Sequence, residues 1–388
     1  MHLLKARTDI FVEPKSILNK RSDIVHIRIL RCFSNLLLPI ILLRSKTSKA
    51  FSNLLKHIDK LSHTDKERVF QWVKRYVEPS STVDGRLIDE MREVRFKEGF
   101  ECPHCTSEHI NRFGKVNGRQ RYRCKACRKT FMDTTNTILY RTRKGNEWIT
   151  FVECMFKGYS LRKSAEIVGV TWVTLFYWRH KLLSALKQMD FEQFDGIVEV
   201  DETYFLYSQK GQRGISERKP RKRGGKSTLR GISKEQVCVL VARDRTKATV
   251  SKVACMGRVV KTKVDGMIGS KLTPNNVLVT DAWRAYKTYA NEKGIEHYRI
   301  KSDDGKHVIK GLYHIQNVNG LHSRLKHWIN RFKGVASKYL DNYLAWFLFV
   351  DSHSNESTKH NIKEFLLTSF VFEMRETYQS LRLSKFNV

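Results

Sequence analysis

Four cysteines stand in two pairs, Cys102-Pro-His-Cys105 and Cys124-Lys-Ala-Cys127, with eighteen residues between the pairs. This spacing lets two tight turns each offer two thiolates to one tetrahedral Zn²⁺. His104 could compete as a ligand, yet the four-sulfur set is complete without it. Two unrelated reduced pairs or a redox dithiol would give the same count, but the surroundings favour a zinc ribbon. Asn117-Gly118 is a hairpin signal, Arg121-Tyr122-Arg123 alternates into the second pair, and Phe131 can cover the metal. Zinc held this way supplies folding energy and does not imply catalysis.

A different chemistry is offered by carboxylates at the ends of apolar strands. In GIVEVDETYF (196–205), Val198 and Val200 fall on one face of a strand, and Glu199, Asp201 and Thr203 on the other. In VLVTDAWRAY (277–286), Asp281 stands where a strand leads into a helix. Either aspartate alone could be a turn residue, and Asp281 could merely cap the helix that follows. Together they suit a two-metal phosphoryl-transfer site, in which one ion activates the attacking oxygen and the other stabilises the leaving oxygen. The helix at 314–332 buries Val318, Leu321, Leu325, Trp328 and Phe332, and places Asn319, His322 and Lys326 on another face. That face could offer an amide ligand and a cation near a phosphate, or could be an ordinary solvated face.

The elements that must position these groups follow from pattern. Residues 1–49 are a leader of unknown role. Its run at 29–43 is too short and too polar for a membrane span and lacks a cleavage site. Residues 50–98 form a helical segment with two apolar stripes, the second helix capped by Thr64 or Asp65. The zinc ribbon takes residues 99–133. Residues 146–188 read as a helix-turn-helix, with Gly169 in the turn and Thr171 capping a second helix that bears Arg179, His180 and Lys181 near its end. A plain helical hairpin has similar spacing. From 194 to 350 strands precede helices, which indicates a mixed α/β domain. Within it lies a polar insertion, 208–234, with ten basic residues. Residues 351–388 read as a C-terminal tail.

The chain carries a formal net charge of +33, from 72 Lys and Arg against 39 Asp and Glu. Such self-repulsion needs an anionic partner, and nucleic acid fits better than a membrane surface. Eight cysteines, four of them scattered singly, fit a reducing intracellular compartment rather than a secreted disulfide framework.

These motifs, in this order, resemble the insertion-sequence transposases that carry an N-terminal zinc ribbon and a DDE-type domain. The likeness runs from about Leu54 to Phe347 and takes in CPHC and CKAC, VEVDETYF, VLVTDAWRAY, HIQNVNGLHSRLK and GVASKYLDNYLAWF (334–347). It implies a ribonuclease H-like fold with the strands of Asp201 and Asp281 side by side, and a transposase cutting and joining DNA at terminal inverted repeats. It makes Asp201 and Asp281 the first two catalytic positions. Asn319 falls where many relatives have glutamate, and Lys326 matches the lysine seven residues on in the subgroup with asparagine. The implied cofactors are structural Zn²⁺ at Cys102, Cys105, Cys124 and Cys127, and catalytic Mg²⁺ or Mn²⁺ at Asp201, Asp281 and Asn319. Glu199, Asn317 and His322 compete as third ligand. The implied partners are double-stranded DNA at transposon ends and target, and further copies of the chain on DNA, in the cytoplasm and without a membrane. A non-catalytic DNA-binding descendant and a nuclease that cuts without joining are the rival readings.

The 208–234 insertion is expected to be mobile without DNA and to bind phosphates regardless of sequence. Deleting KPRKRGGK (219–226) should weaken binding to all duplexes alike and flatten its salt dependence. A loss confined to one DNA sequence in a binding titration would show that the insertion reads bases.

Overall fold

The computed structural model describes residues 49–388 except 78–89, 98, 117, 143, 145–146, 217, 222–223, 302–304, 306, 375 and 387. The leader, apart from its last residue, lies outside the described residues. The chain divides into two units, residues 1–73 and 74–388.

In the first unit, α1 (Lys49–Asp59) is followed by α2 (His63–Val77), which runs past the boundary. The cap of α2 is neither Thr64 nor Asp65, because the helix starts earlier than the apolar stripe suggests. Ser62 Oγ accepts from Asp65 N at 3.2 Å and donates to the Asp65 carboxylate at 2.7 Å.

The second unit opens on a three-stranded antiparallel sheet, β1 (Ile110–Val116), β2 (Arg119–Cys124) and β3 (Thr130–Met132). Val116 pairs with Arg119, so the β1–β2 turn is two residues long, and Gly118 supplies its φ of +77°. Three helices follow: α3 (Glu147–Phe156), α4 (Leu161–Val168) and α5 (Trp172–Leu186). Next come β4 (Ile197–Leu206), β5 (Gln236–Asp244), β6 (Thr249–Met256), α6 (Lys261–Ile268), β7 (Val277–Asp281), α7 (Arg284–Lys293) and β8 (Glu296–Ile300). The chain then runs through α8 (Gln316–Asn330), α9 (Leu340–Ser352), α10 (Thr358–Val371) and α11 (Tyr378–Leu383).

Strands β4 to β8 form one mixed sheet in the order β6-β5-β4-β7-β8. The first three are antiparallel hairpin neighbours, and β7 and β8 add in parallel beside β4. Three antiparallel strands extended by two parallel ones on the side of the first strand is the ribonuclease H-like arrangement. Alternation decides the layers. Val198, Val200, Leu240 and Leu278 pack with Val264, Ile268, Tyr286 and Tyr289 of α6 and α7. Val237, Val239 and Val241 face the other way, against Val318, Leu321 and Leu325 of α8 and Leu344 and Phe347 of α9.

A separate helical core surrounds the helix-turn-helix segment. Ser160 caps α4, Gly169 takes φ +69° in the turn, and the Thr171 hydroxyl accepts from Thr174 N to start α5. The Trp148 and Trp178 rings stack 4.6 Å apart between α3 and α5. Residues 351–388 are not a loose tail. Phe365, Leu366, Phe370 and Met374 enter this same core, and Phe365 packs edge-on against Phe349. Near the end of α5, Arg179 and His180 turn inward. The Arg179 guanidinium lies over the Trp346 and Phe332 rings. His180 is fully buried beside Asn342 Nδ2 at 3.1 Å, and burial pulls its pKa down to about 3, so it is neutral. The exposed front of α5 is instead Thr171, Trp172 and Val173.

The insertion after β4 has no strand or helix among its described residues, yet it is tied down at several points. Lys210 Nζ donates to the carbonyls of Phe332, Lys333 and Gly334 beyond the end of α8. Arg221 bonds the Tyr207 carbonyl, and Glu235 accepts from Ser227 and Thr228.

Helix α8 has no side-chain cap of its own. Glu199, fully buried on β4, provides one. Its Oε2 accepts from the backbone N–H groups of Asn317 and Val318 at 2.8 and 3.1 Å, and its Oε1 accepts from Asn317 Nδ2 at 2.7 Å. Arg245 pairs with the same carboxylate at 2.8 Å. A carboxylate at a helix N-terminus also meets the positive end of the helix dipole. Glu199→Ala should therefore destabilise the second unit by about 3 kcal/mol, since it takes the carboxylate from a partly buried arginine and leaves two helix donors unpaired. Urea unfolding followed by circular dichroism would read this; a loss below about 1 kcal/mol would mean that α8 is held by its apolar stripe alone.

Candidate active site

Parallel pairing of β4 with β7 sets Val200 opposite Thr280, which brings the next residues together, Asp201 in the middle of β4 and Asp281 at the end of β7. Carboxylate oxygens of Asp201, Glu202 and Asp281 all lie within 4.8 Å of one another, and all three residues are partly exposed. Asp281 also closes the turn into α7, where its Oδ1 accepts from Trp283 N at 2.9 Å. Trp283 is the N-cap residue of α7 and the helix has no side-chain cap, so Asp281 acts as a turn residue rather than a helix cap, and keeps its place in the cluster. Glu202 takes the hydroxyl of the buried Tyr286 at 2.6 Å.

Charge crowding marks this cluster. Burial, with the Asp281 charge adding to it, pushes the Asp201 carboxyl up to about 6, against the opposing pull of the Glu202 backbone N–H and of Lys326. Burial likewise pushes Glu202 up to about 7; the Tyr286 hydroxyl opposes this, and the charges of Asp281 and Asp201 reinforce it. Like charges this close resist joint ionisation unless a cation joins them. Hard oxygen donors of this kind fit Mg²⁺ or Mn²⁺.

The α8 face presents its residues unequally. His322 is buried, with Nδ1 3.7 Å from Asp201 Oδ2. Burial, and then Lys326, lowers its pKa to about 4, so the imidazole is neutral. Lys326 is exposed, and its charge acts on both Asp201 and His322. Asn319 lies one turn ahead of His322 and is exposed. Among the described residues no hydrogen bond joins its side chain to either aspartate. Of the competing third ligands, Glu199 and Asn317 bond each other in the cap of α8. His322 does reach the cluster.

Sequence reasoning missed Glu202. Strict alternation sends it to the face opposite Asp201, among apolar side chains. However, β4 runs on to Leu206, while its pairing with β7 ends at Val200 and Thr280. From that face, past the last residue paired with β7, the Glu202 carboxylate takes the Tyr286 hydroxyl and still comes within 4.8 Å of both aspartates. An acid next to Asp201 and a tyrosine five residues past Asp281 were the available signals.

The four ribbon cysteines form a second cluster. Cys102 Sγ lies 3.7 Å from Cys127 Sγ, and Cys105 Sγ lies 3.6 Å from Cys124 Sγ. Zn–S bonds of about 2.3 Å in a tetrahedron require sulfurs about 3.8 Å apart, so the spacing fits zinc. The Cys127 N–H, aimed at Cys124 Sγ, holds that thiol down to about 6, while burial pushes Cys102 up to about 12. A central dication favours the thiolate at both positions. Phe131 and Tyr122 cover the cluster, their rings stacked 5.6 Å apart. Arg112, Lys115, Arg119, Arg123, Lys125, Arg128 and Lys129 are exposed around it, and Arg121 is half-buried. Elemental analysis of the reduced protein should find one zinc per chain, and Cys102→Ser with Cys124→Ser should unfold the ribbon. Zinc-free protein with a protease-resistant ribbon would contradict this assignment.

Residues 193–350 match the ISXO2-like transposase domain, and residues 88–130 match the transposase zinc-ribbon domain. The chain is 24% identical over 287 residues to an uncharacterized protein in the transposable element ISH50 of Halobacterium salinarum, a match covering 73% of this chain and 96% of that protein. Among solved structures, it aligns with a chain of the simian T-cell lymphotropic virus intasome in complex with PP2A regulatory subunit B56 gamma. There the identity is 12%, the coverage 56% of this chain and 67% of that one, and the TM-score 0.22. It also aligns with a chain of a pre-cleavage Mos1 transpososome at 8% identity, covering 80% and 98%, with a TM-score of 0.20. Scores this low add nothing to the fold, which rests on the strand order. The two domain matches, ribbon first and sheet second, bear out the resemblance: in this order, residues 88–130 and 193–350 are similar to the zinc-ribbon and ISXO2-like domains of transposases.

Proposed function

We propose that this protein is a transposase that cuts and joins DNA at the terminal inverted repeats of an insertion sequence. The observation that carries the reading is the carboxylate cluster at mid-β4 and the end of β7, in a chain whose net charge is +33. A protein that only binds DNA has no use for crowded acids that repel the phosphate backbone, which disfavours the non-catalytic rival. Asp201 and Asp281 hold divalent metal, with the Asn319 carbonyl oxygen as a further ligand. A divalent ion such as Mg²⁺ or Mn²⁺ held by these residues would supply activation of the attacking oxygen, of water and then of a 3′-hydroxyl, and stabilisation of the leaving one. Lys326, exposed beside Asp201, positions the phosphate next to the cluster. The buried His322 ring keeps the α8 side of the cluster free of bulk water.

The basic ribbon and the exposed front of α5 recognise the repeats, and the insertion adds phosphate contacts that are blind to sequence. Pairing two transposon ends with a target calls for more than one copy of the chain on DNA, in the cytoplasm where that DNA is.

Incubating the protein with its element's end DNA, with and without Mg²⁺, and scoring both cleavage and strand joining tests this reading. Asp201→Asn and Asp281→Asn should each abolish cleavage and leave DNA binding intact, and Asn319→Ala should slow it. Lys326→Ala should impair DNA positioning more than metal binding. Specific binding without any cleavage would favour the non-catalytic reading, and cleavage without joining would favour a nuclease.

A further inference from the structure

We infer that Glu202 is the third carboxylate ligand of the divalent-metal site, and that Tyr286 positions it. The inference rests on the metal site proposed above and changes which residue carries its third negative charge.

Two aspartates and Asn319 give the site a charge of only −2. Glu202 brings it to −3 from a side chain already within 4.8 Å of both aspartates. Pairing between β4 and β7 stops one residue before Asp201, so Glu202 lies past the last paired residue, near the end of β7 where Asp281 stands. A hydrogen bond fixes the approach. Tyr286, fully buried on the first turn of α7, donates to Glu202 Oε1 at 2.6 Å. A carboxylate has lone pairs on both oxygens, so this bond orients Glu202 without using up its capacity as a ligand.

A second observation points to a ligand at this place. His322, more than nine-tenths buried, faces the cluster from α8 with Nδ1 3.7 Å from Asp201, and its Nε2 has no hydrogen-bond partner. A buried imidazole with an unpartnered nitrogen, beside Asp201, is polar capacity that a bound group can take up. Asn319, by contrast, is exposed and joined to neither aspartate. The competing account is that Glu202 serves only to satisfy Tyr286 inside the sheet.

The experiment uses the full zinc-containing chain and Tb³⁺ as the probe. Trp283 lies beside Asp281, its backbone N–H 2.9 Å from Oδ1, so its indole can sensitise Tb³⁺ luminescence. Mg²⁺ and Mn²⁺ should compete the signal away. Glu202→Gln should weaken Tb³⁺ binding about tenfold or more, as Asp201→Asn does, and should raise the number of bound waters read from luminescence lifetimes in H₂O and D₂O. Tyr286→Phe should give a smaller loss, and Asn319→Ala the smallest. Glu202→Asp keeps the charge and shortens the reach; if Glu202→Gln fails to fold, this variant should still show weaker binding and added water. Wild-type affinity and hydration in a folded Glu202→Gln protein, with Asp201→Asn defective, would overturn the inference and leave the aspartate site standing. Wild-type binding in both variants would overturn the aspartate site and the inference with it.

Discussion

The buried Glu199 carboxylate is the joint on which the site depends. It sits on β4 two residues before Asp201 and accepts from the first free N–H groups of α8. Strand and helix are therefore locked at one register, and that register sends His322 toward Asp201 and leaves Lys326 at the rim. A helix held only by Val318, Leu321 and Leu325 could slide along the valines of β5, since apolar contact has no direction. Hydrogen bonds to a charged oxygen do have direction. The same β4 alternation that sends Asp201 to the α8 face sends Glu199 there too, so one strand supplies both the anchor and the acid.

Electrostatics gives the second constraint. Most of the molecule repels itself through positive charge, yet its carboxylates concentrate at a few points. Asp351 gathers Arg243 and Arg324, with Arg324 bonded through two nitrogens, and so ties β5, α8 and α9 together. Those acids have cations within reach. Asp201, Glu202 and Asp281 are crowded together, and among the described residues no ion pair joins them to a lysine or arginine, although the Lys326 charge acts on Asp201. The contrast separates carboxylates that hold the fold from carboxylates kept in an unfavourable setting, which is a common mark of a working site.

How much of this was legible in the sequence depends on how local each signal is. The alternation in GIVEVD and the apolar run before Asp281 identify two strands, and parallel pairing then brings the aspartates together. Gly169 and Thr171 act within one turn of chain, and the structure shows the left-handed residue and the cap at those positions. Glu202 was hidden because alternation sends it to the face opposite Asp201, and its carboxylate nonetheless reaches both aspartates beside the end of β7. Arg179 and His180 read as surface residues because their partners, Trp346, Phe332 and Asn342, lie more than 150 positions away. For the same reason Phe365 and Phe370 could not be linked to α3 and α5. The ribbon was the easiest to read, since a metal site fixes residue spacing more tightly than a core does.

Helix α9 explains why the last forty residues belong to the fold. Leu340, Leu344 and Phe347 face the sheet, whereas Tyr343, Trp346 and Phe349 face the helical core around α3, α5 and α10. A helix apolar on both sides must be covered on both sides. The sheet covers one side, and α5 together with α10 covers the other. Asp341, in the first turn of α9, also accepts from Val253 N at 2.8 Å beside the irregularity in the β5–β6 ladder, so the helix is fixed to the sheet by a directed bond as well as by packing. The α5 helix is joined to α9 where the Arg179 guanidinium lies over Trp346, and α9 is joined to β5 by packing and to β6 through Asp341. The helices proposed to read DNA and the strands proposed to cut it share a close-packed connection, and close-packed interiors transmit displacement rather than absorb it.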